Sequence, residues 1–271
     1  MLSGHTMLHA LHAYPTLLRA YFARALEYRF QALIQLLWGA SPLVMMSVWL
    51  TMVQTGPIGG FDANAFIGYY LGVTWMRRVT YLWIMGDVAG RIASGELSAY
   101  LIRPLNMAHH LLTNAIASHV VQATVTGVVI GGIALLIPGR QFDLALINLL
   151  LFAMAVCVGF LFRFMVQYLV GALAFWTTQV GSIFEAVFYT KTLLGGFVVP
   201  MALFPAELRN VLEWFPFQSS IALPVEILIG RSTPANALFG IGVALVWIVI
   251  LTFVANAVWR DGLRNYSAVG S

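Results

Sequence analysis

Charge is what this 271-residue chain has least of: 9% of its residues are Asp, Glu, Lys or Arg, 61% are hydrophobic, and mean hydropathy is +0.87. A soluble domain carries about 25% charged residues. So few cannot cover a water-exposed surface of this size, which excludes a soluble enzyme and any large extramembrane domain. A single cysteine, Cys157, lies in an apolar run and excludes an intrachain disulfide. The only lysine, Lys191, is followed by Thr192, but Glu185 and Thr190 stand at both glycine positions of a phosphate-binding loop, so no nucleotide site is expected in this chain. No G-x-S-x-G turn is present, and Asp87 and Asp143 fall at opposite ends of the apolar segments, which leaves a Ser/His/Asp constellation without support. His5, His9 and His12 share one helical face but have no acidic or cysteine ligand nearby. Neither a metal nor a cofactor is expected.

Long apolar runs are what the chain has instead. A helix crossing the hydrocarbon core needs about 20 mostly apolar residues. Six stretches meet that need: Leu33–Val53, Phe66–Met85, Leu111–Ile137, Leu144 to about Leu173, Val180–Val199 and Leu238–Val258. They predict an all-α polytopic membrane protein with six transmembrane helices in one domain, residues 1–271. The fourth run is long enough to tilt or break, and a break is expected between Arg163 and Gln167. Residues 1–31 lack the apolar core and small-residue cleavage site of a secretory signal, and are expected to form an N-terminal helix ahead of the first span.

The net charge of +4 is best read by side of the membrane. With six spans both termini share a side, which receives Arg19, Arg24, Arg29, Arg91, Arg103, Arg260 and Arg264; the other receives Arg140, Arg209 and Arg231. The bias places both termini and the tail, residues 260–271, in the cytoplasm of a cell whose plasma or inner membrane holds the chain. Membrane lipid is the expected surrounding, and nucleic acid is not an expected partner.

Two connections are unusual. The cytoplasmic one, residues 87–107, reads DVAGRIASGELSAYLIRPLNM. A short helix is expected after Ser94 with Glu96 in its first turn, Leu97, Leu101 and Ile102 forming an apolar ridge, and Pro104 discouraging continuation. Such a segment suits either the headgroup surface or a docking partner. The external one, residues 200–234, combines Pro200, Pro205, Pro216 and Pro224 with Leu208, Val211, Leu212 and Phe215 at helical spacing, and Glu207, Arg209, Asn210 and Glu213 between them. A short amphipathic helix in the outer leaflet, after the fifth span, is expected. Arg77, Arg78, Glu185 and Lys191 fall inside predicted spans, where each basic group costs about 2.5–3.5 kcal/mol on insertion scales. They are candidate pathway residues; cations lining a pathway would favour acidic amphiphiles as cargo.

The run RIASGELSAYLIRPL resembles the loop between the second and third spans of type-2 ABC export permeases. GGFVVP-x4-P, with WFPF and LPVEILIG beyond it, is similar to the segment after their fifth span, and Leu173–Trp176 (LAFW) to a junction in one subgroup. The resemblance covers nearly the whole chain. It implies a six-span permease that pairs with a second permease chain, identical or homologous, and docks two ABC ATP-binding subunits, which would bind the ATP and magnesium. It assigns coupling to Arg91, Gly95, Glu96, Leu97, Leu101, Arg103 and Pro104, and an external gate to Gly195, Gly196, Pro200, Pro205 and Pro216. Drug, lipid and glycan exporters share these features, so multidrug efflux is one implied role among several. The alternative reading is an ion-coupled secondary transporter using Glu185 and the interior basic residues.

Overall fold

The computed structural model describes residues 41–80, 82–103, 105–137 and 142–266, with positions 15 and 19. The rest of the N-terminal segment over 1–31, the start of the first span, the histidines 5, 9 and 12, Pro104, Arg140 and the tail beyond 266 lie outside the described residues. Among the described residues the chain is all helical. Its helices are α1 (Ser41–Met52), α2 (Ala63–Val79), α3 (Ile84–Ala93), α4 (Leu97–Leu101), α5 (Met107–Leu136), α6 (Leu146–Ala172), α7 (Val180–Leu194), α8 (Ala206–Leu212), α9 (Ala222–Leu228) and α10 (Pro234–Asn265). Among the described residues three pieces are long and apolar enough to cross a membrane: Met107–Leu136, Leu146–Phe175 and Pro234–Asn265. Polar side chains mark the starts of α2, α5 and α10. Asp62 accepts from the Ala65 amide at 2.8 Å, Asn106 from Ala108 at 3.4 Å and Thr233 from Asn236 at 3.3 Å, each occupying an amide that has no partner within its own helix.

Two expectations about continuity are reversed. The run Phe66–Met85 does not form one helix: α2 stops at Val79 and α3 begins at Ile84. The fourth run, expected to break between Arg163 and Gln167, is unbroken from Leu146 to Ala172. Both reversals have one cause. Arg163 and Gln167 leave the α6 backbone intact and spend their polar groups on the gap between α2 and α3. The Arg163 Nη1 donates to Thr80 Oγ1 at 2.7 Å, and the Gln167 amide binds Leu82, Ile84 and Met85.

The core has two main regions stacked along the helices. One gathers Phe61, Phe66, Tyr69, Tyr70 and Met76 with Val225, Ile227 and Ile241; the other gathers Leu82, Val88, Ile92, Leu97 and Met107 with Phe164, Tyr168 and Trp259. Helix α6 runs through both, against α10, α3 and α9. Close approach to the 216–220 turn depends on Gly159, where a β-carbon would collide with the Ser219 carbonyl oxygen. One end of the body therefore carries residues 87–107 and the other residues 195–233.

Candidate functional site

At the first end, Gly95 adopts φ +81°, a left-handed conformation that lets the chain leave α3 and turn directly into α4. Glu96 sits at the cap position of α4, one place earlier than expected. The expected ridge is split. Leu97 is 0% exposed, inside the core region with Ile92 and Met107, whereas Leu101 and Ile102 are 48% and 87% exposed. Between them Tyr100 is clamped. Arg91 donates to its hydroxyl, and the Arg91 and Arg103 guanidinium carbons lie 4.7 and 4.6 Å from its ring centroid. Ser98 Oγ and Tyr266 Oη are 3.3 Å apart, tying the segment to the end of α10. The result is a stiff tip with two apolar side chains projecting from it.

Beside this tip a cavity of about 660 Å³ opens between α3, the 173–175 turn at the end of α6, and α7. Trp83, Phe184, Phe188 and Tyr189 supply aromatic wall, and Glu185 and Arg163 are its ionisable groups. Glu185 is exposed, while Arg163 is 7% exposed and bonded to Thr80. The other candidate charges go elsewhere. Arg77 donates to Ser41 Oγ and lies 5.1 Å from the Phe197 ring centroid; Arg78 is buried in the last turn of α2. Lys191 lines a separate space of about 50 Å³ with Phe188, Arg163 and Phe217, its Nζ 5.5 Å from the Phe188 centroid. Of the four charges proposed from sequence, Glu185 lines the larger cavity, where the cation on the wall is Arg163; Arg77, Arg78 and Lys191 are placed outside it.

At the opposite end the GGFVVP run is pinned by the first helices. Tyr69 Oη donates to the Gly196 carbonyl at 2.5 Å, and Tyr70 Oη and Trp49 Nε1 donate to that of Val198 at 2.7 and 3.1 Å. Gly195 is pressed against the Lys191 and Phe217 carbonyls with no room for a side chain, and Gly196 turns at φ +86°. Pro200 precedes a short 3-10 turn, Met201–Leu203; Pro205 precedes α8, and Pro216 opens the turn Pro216–Ser220. On α8, Leu212 is buried and Leu208 and Val211 are exposed; just beyond it Phe215 is exposed, and Glu213 pairs with Arg209 at 3.9 Å.

Two residues of interest escaped sequence reading, Thr80 at the α2–α3 gap and Glu226 on α9; Arg163 and Gln167 were expected to break their own helix and instead serve that gap. Glu226 is half-buried, with Oε1 shielded from solvent and without a hydrogen-bond partner among the described residues. Burial pushes its pKa up to about 7, against the pull of Arg231, the Ala202 amide and Arg209, with Glu213 adding a small push upward. A folded-state pKa raised above the ordinary 4.5 means that this carboxyl costs stability once ionised: its full contribution is present below about pH 4.5 and is lost as pH rises through about 7. Glu226→Gln should therefore raise the thermal midpoint at pH 8, by on the order of 2–3 kcal/mol of stability, and leave it unchanged near pH 4.5. Thermal unfolding of the detergent-solubilised protein at both pH values checks this; equal gains at both would remove ionisation as the cause.

A family model described as ABC-2 family transporter protein matches residues 36–270. Comparison with curated proteins gives no match.

Proposed function

This chain belongs to the ABC-2 family of transporter proteins, and from that premise we propose that it is the permease subunit of an ATP-driven exporter. It is a membrane protein and a transport subunit, whose family implies ATP-binding partner subunits. In the proposed assembly two such subunits bind ATP and magnesium, a second permease chain completes the pathway, six spans cross the plasma or inner membrane, and both termini are cytoplasmic. The observation that carries the reading is the stiff tip of α4. Leu101 and Ile102 project from it, Tyr100 is held between two guanidinium groups, and Leu97 roots it in the core. A partner that grips Leu101 and Ile102 pushes through Leu97 on the region that contains α3, and α3 is also a wall of the aromatic cavity.

Motion of the tip then changes the opening of that cavity. Its apolar and aromatic lining suits an amphipathic cargo, of drug, lipid or glycan-conjugate type, entering from the cytoplasm or the inner leaflet. The external segment, pinned by Tyr69, Tyr70 and Trp49, is the proposed outer gate. One observation favours a second reading: Glu185 stands exposed on the cavity wall, as the carboxylate of an ion-coupled carrier would. Vesicles loaded with a fluorescent lipophilic dye separate the two. The ATP-driven reading expects dye movement only with the ATP-binding partner and ATP; movement driven by a proton or sodium gradient without them, and lost in Glu185→Gln, would replace it.

A further inference from the structure

The chain between α2 and α3 breaks where its own sequence contains nothing to break it. The segment from Thr80 to Trp83 has no proline or glycine. The groups that close the break come from α6. Gln167, 3% exposed, accepts from the Ile84 and Met85 amides at 2.9 and 3.3 Å and donates to the Leu82 carbonyl at 2.5 Å. The first amides of α3 have no partner in their own helix, so a side chain from another helix serves as their cap. One turn earlier on the same face of α6, Arg163 donates to the Thr80 hydroxyl, which in turn donates to the Met76 carbonyl at 2.7 Å and closes the end of α2. Non-helical backbone at membrane depth persists only where protein satisfies it, and here two residues of α6 do so.

The break also falls on the boundary between the two core regions. Tyr69, Tyr70, Val73 and Met76 of α2 belong to one; Leu82, Ile84, Val88 and Ile92 belong to the other, with Leu97 of the coupling segment. One turn beyond Gln167, α3 lies so close to α6 that a β-carbon on Gly171 would sit 2.7 Å from Val88 Cβ and 3.0 Å from the Met85 carbonyl oxygen. Helix α3 is thus seated on α6, while α2 packs on α1, α5 and α9.

We propose that the α2–α3 break is a mechanical joint, and that Gln167 is the positioning residue that seats α3 on α6 across it. Displacement of the coupling segment is then passed to α6 and the cavity wall, and α2 is not forced to follow. The joint has work to do only if a partner pushes on that segment, so its use in transport rests on the function proposed above, whereas its geometry does not.

The test uses the full chain in lipid vesicles with Cys157→Ala, spin labels at positions 93 on α3 and 153 on α6, and electron paramagnetic resonance distances. Wild type is expected to give one narrow distance distribution. Gln167→Leu, which keeps the size and removes donor and acceptor, should lose it and give a broad or shifted one; Gln167→Glu, which keeps the acceptor oxygens, should fall between. A Gln167→Leu distribution identical to wild type overturns the proposal. With the ATP-binding partner present and ATP plus vanadate added, the wild-type distance between labels at 64 on α2 and 93 should change while that between 93 and 153 holds. In Gln167→Leu the change should move to the 93–153 pair at an unchanged rate of ATP hydrolysis, a pattern that simple loss of folded protein would not produce. Invariance of the 64–93 distance in trapped wild type overturns the joint. Failure of any ATP-binding partner to associate, with the first result as expected, leaves the seating of α3 established and removes the ATP-driven reading instead.

Discussion

Ile102→Asp, alone or with Leu101→Asp, is expected to lower the affinity of the permease for its ATP-binding subunit by about tenfold or more while the amount of permease in the membrane stays at the wild-type level. Ile102 is 87% exposed, so the folded permease loses little by the change. In the proposed complex the same side chain is covered, and burial of an aliphatic side chain contributes about 1.5–3 kcal/mol, more than the 1.4 kcal/mol of a tenfold affinity change. Changes at Arg91 or Arg103 act less directly: each loosens Tyr100 by removing one cation from its ring, an interaction of about 0.5–2 kcal/mol. Co-purification of the ATP-binding subunit with tagged permease measures the effect, with ATP hydrolysis as a second readout. Wild-type association in the double variant would make this segment a helix resting on the headgroups.

Leu97→Asp is expected to act on the permease itself, and more severely. The Leu97 side chain is fully enclosed, within the apolar core region that includes Ile92 and Met107. Burying an unpaired charge costs more than about 4 kcal/mol, a large fraction of the stability of a typical domain. Reduced membrane levels and an aggregated profile in detergent are the expected outcome, before any question of docking arises. A well-folded Leu97→Asp permease that merely fails to bind its partner would place Leu97 at the interface and contradict the packing described here.

The contrast between these two residues shows where sequence reading stops. Their helix was legible: Ser94, Gly95 and Pro104 bracket it, and the i, i+4 spacing of Leu97 and Leu101 puts both on one face. Spacing does not say what covers that face. Leu97 lies at the junction with α3 and is enclosed, while Leu101, one turn on, runs out past the neighbouring helices. The long helices α5, α6 and α10 were legible for the opposite reason, because an uninterrupted apolar run in a membrane protein has few other conformations open to it. The break at Thr80–Trp83 was hidden because its cause stands more than eighty positions away in the chain, on Gln167. Arg163 and Gln167 did stand out in sequence, but polar residues in a span read as damage to their own helix, and only tertiary structure shows that they repair another one. Glu226 was hidden by its apolar neighbours in LPVEILIG, since its burial and its bond to the Ala202 amide arise from tertiary packing. Charges such as Arg77 and Lys191 were found by type; their orientation, toward Ser41 and Phe188, was not.

The claim that an ATP-binding subunit pushes on the tip of α4 is tested most directly by site-specific crosslinking. Single cysteines are placed at positions 97, 102 and 215 in a Cys157→Ala background, modified with a photoactivatable thiol reagent, and irradiated in membranes containing the ATP-binding subunit. The account predicts capture of that subunit from position 102, none from 97, which is enclosed, and none from 215, which lies at the opposite end of the body. Capture from 215 with none from 102 would contradict it, placing the partner on the segment assigned here to the outer gate.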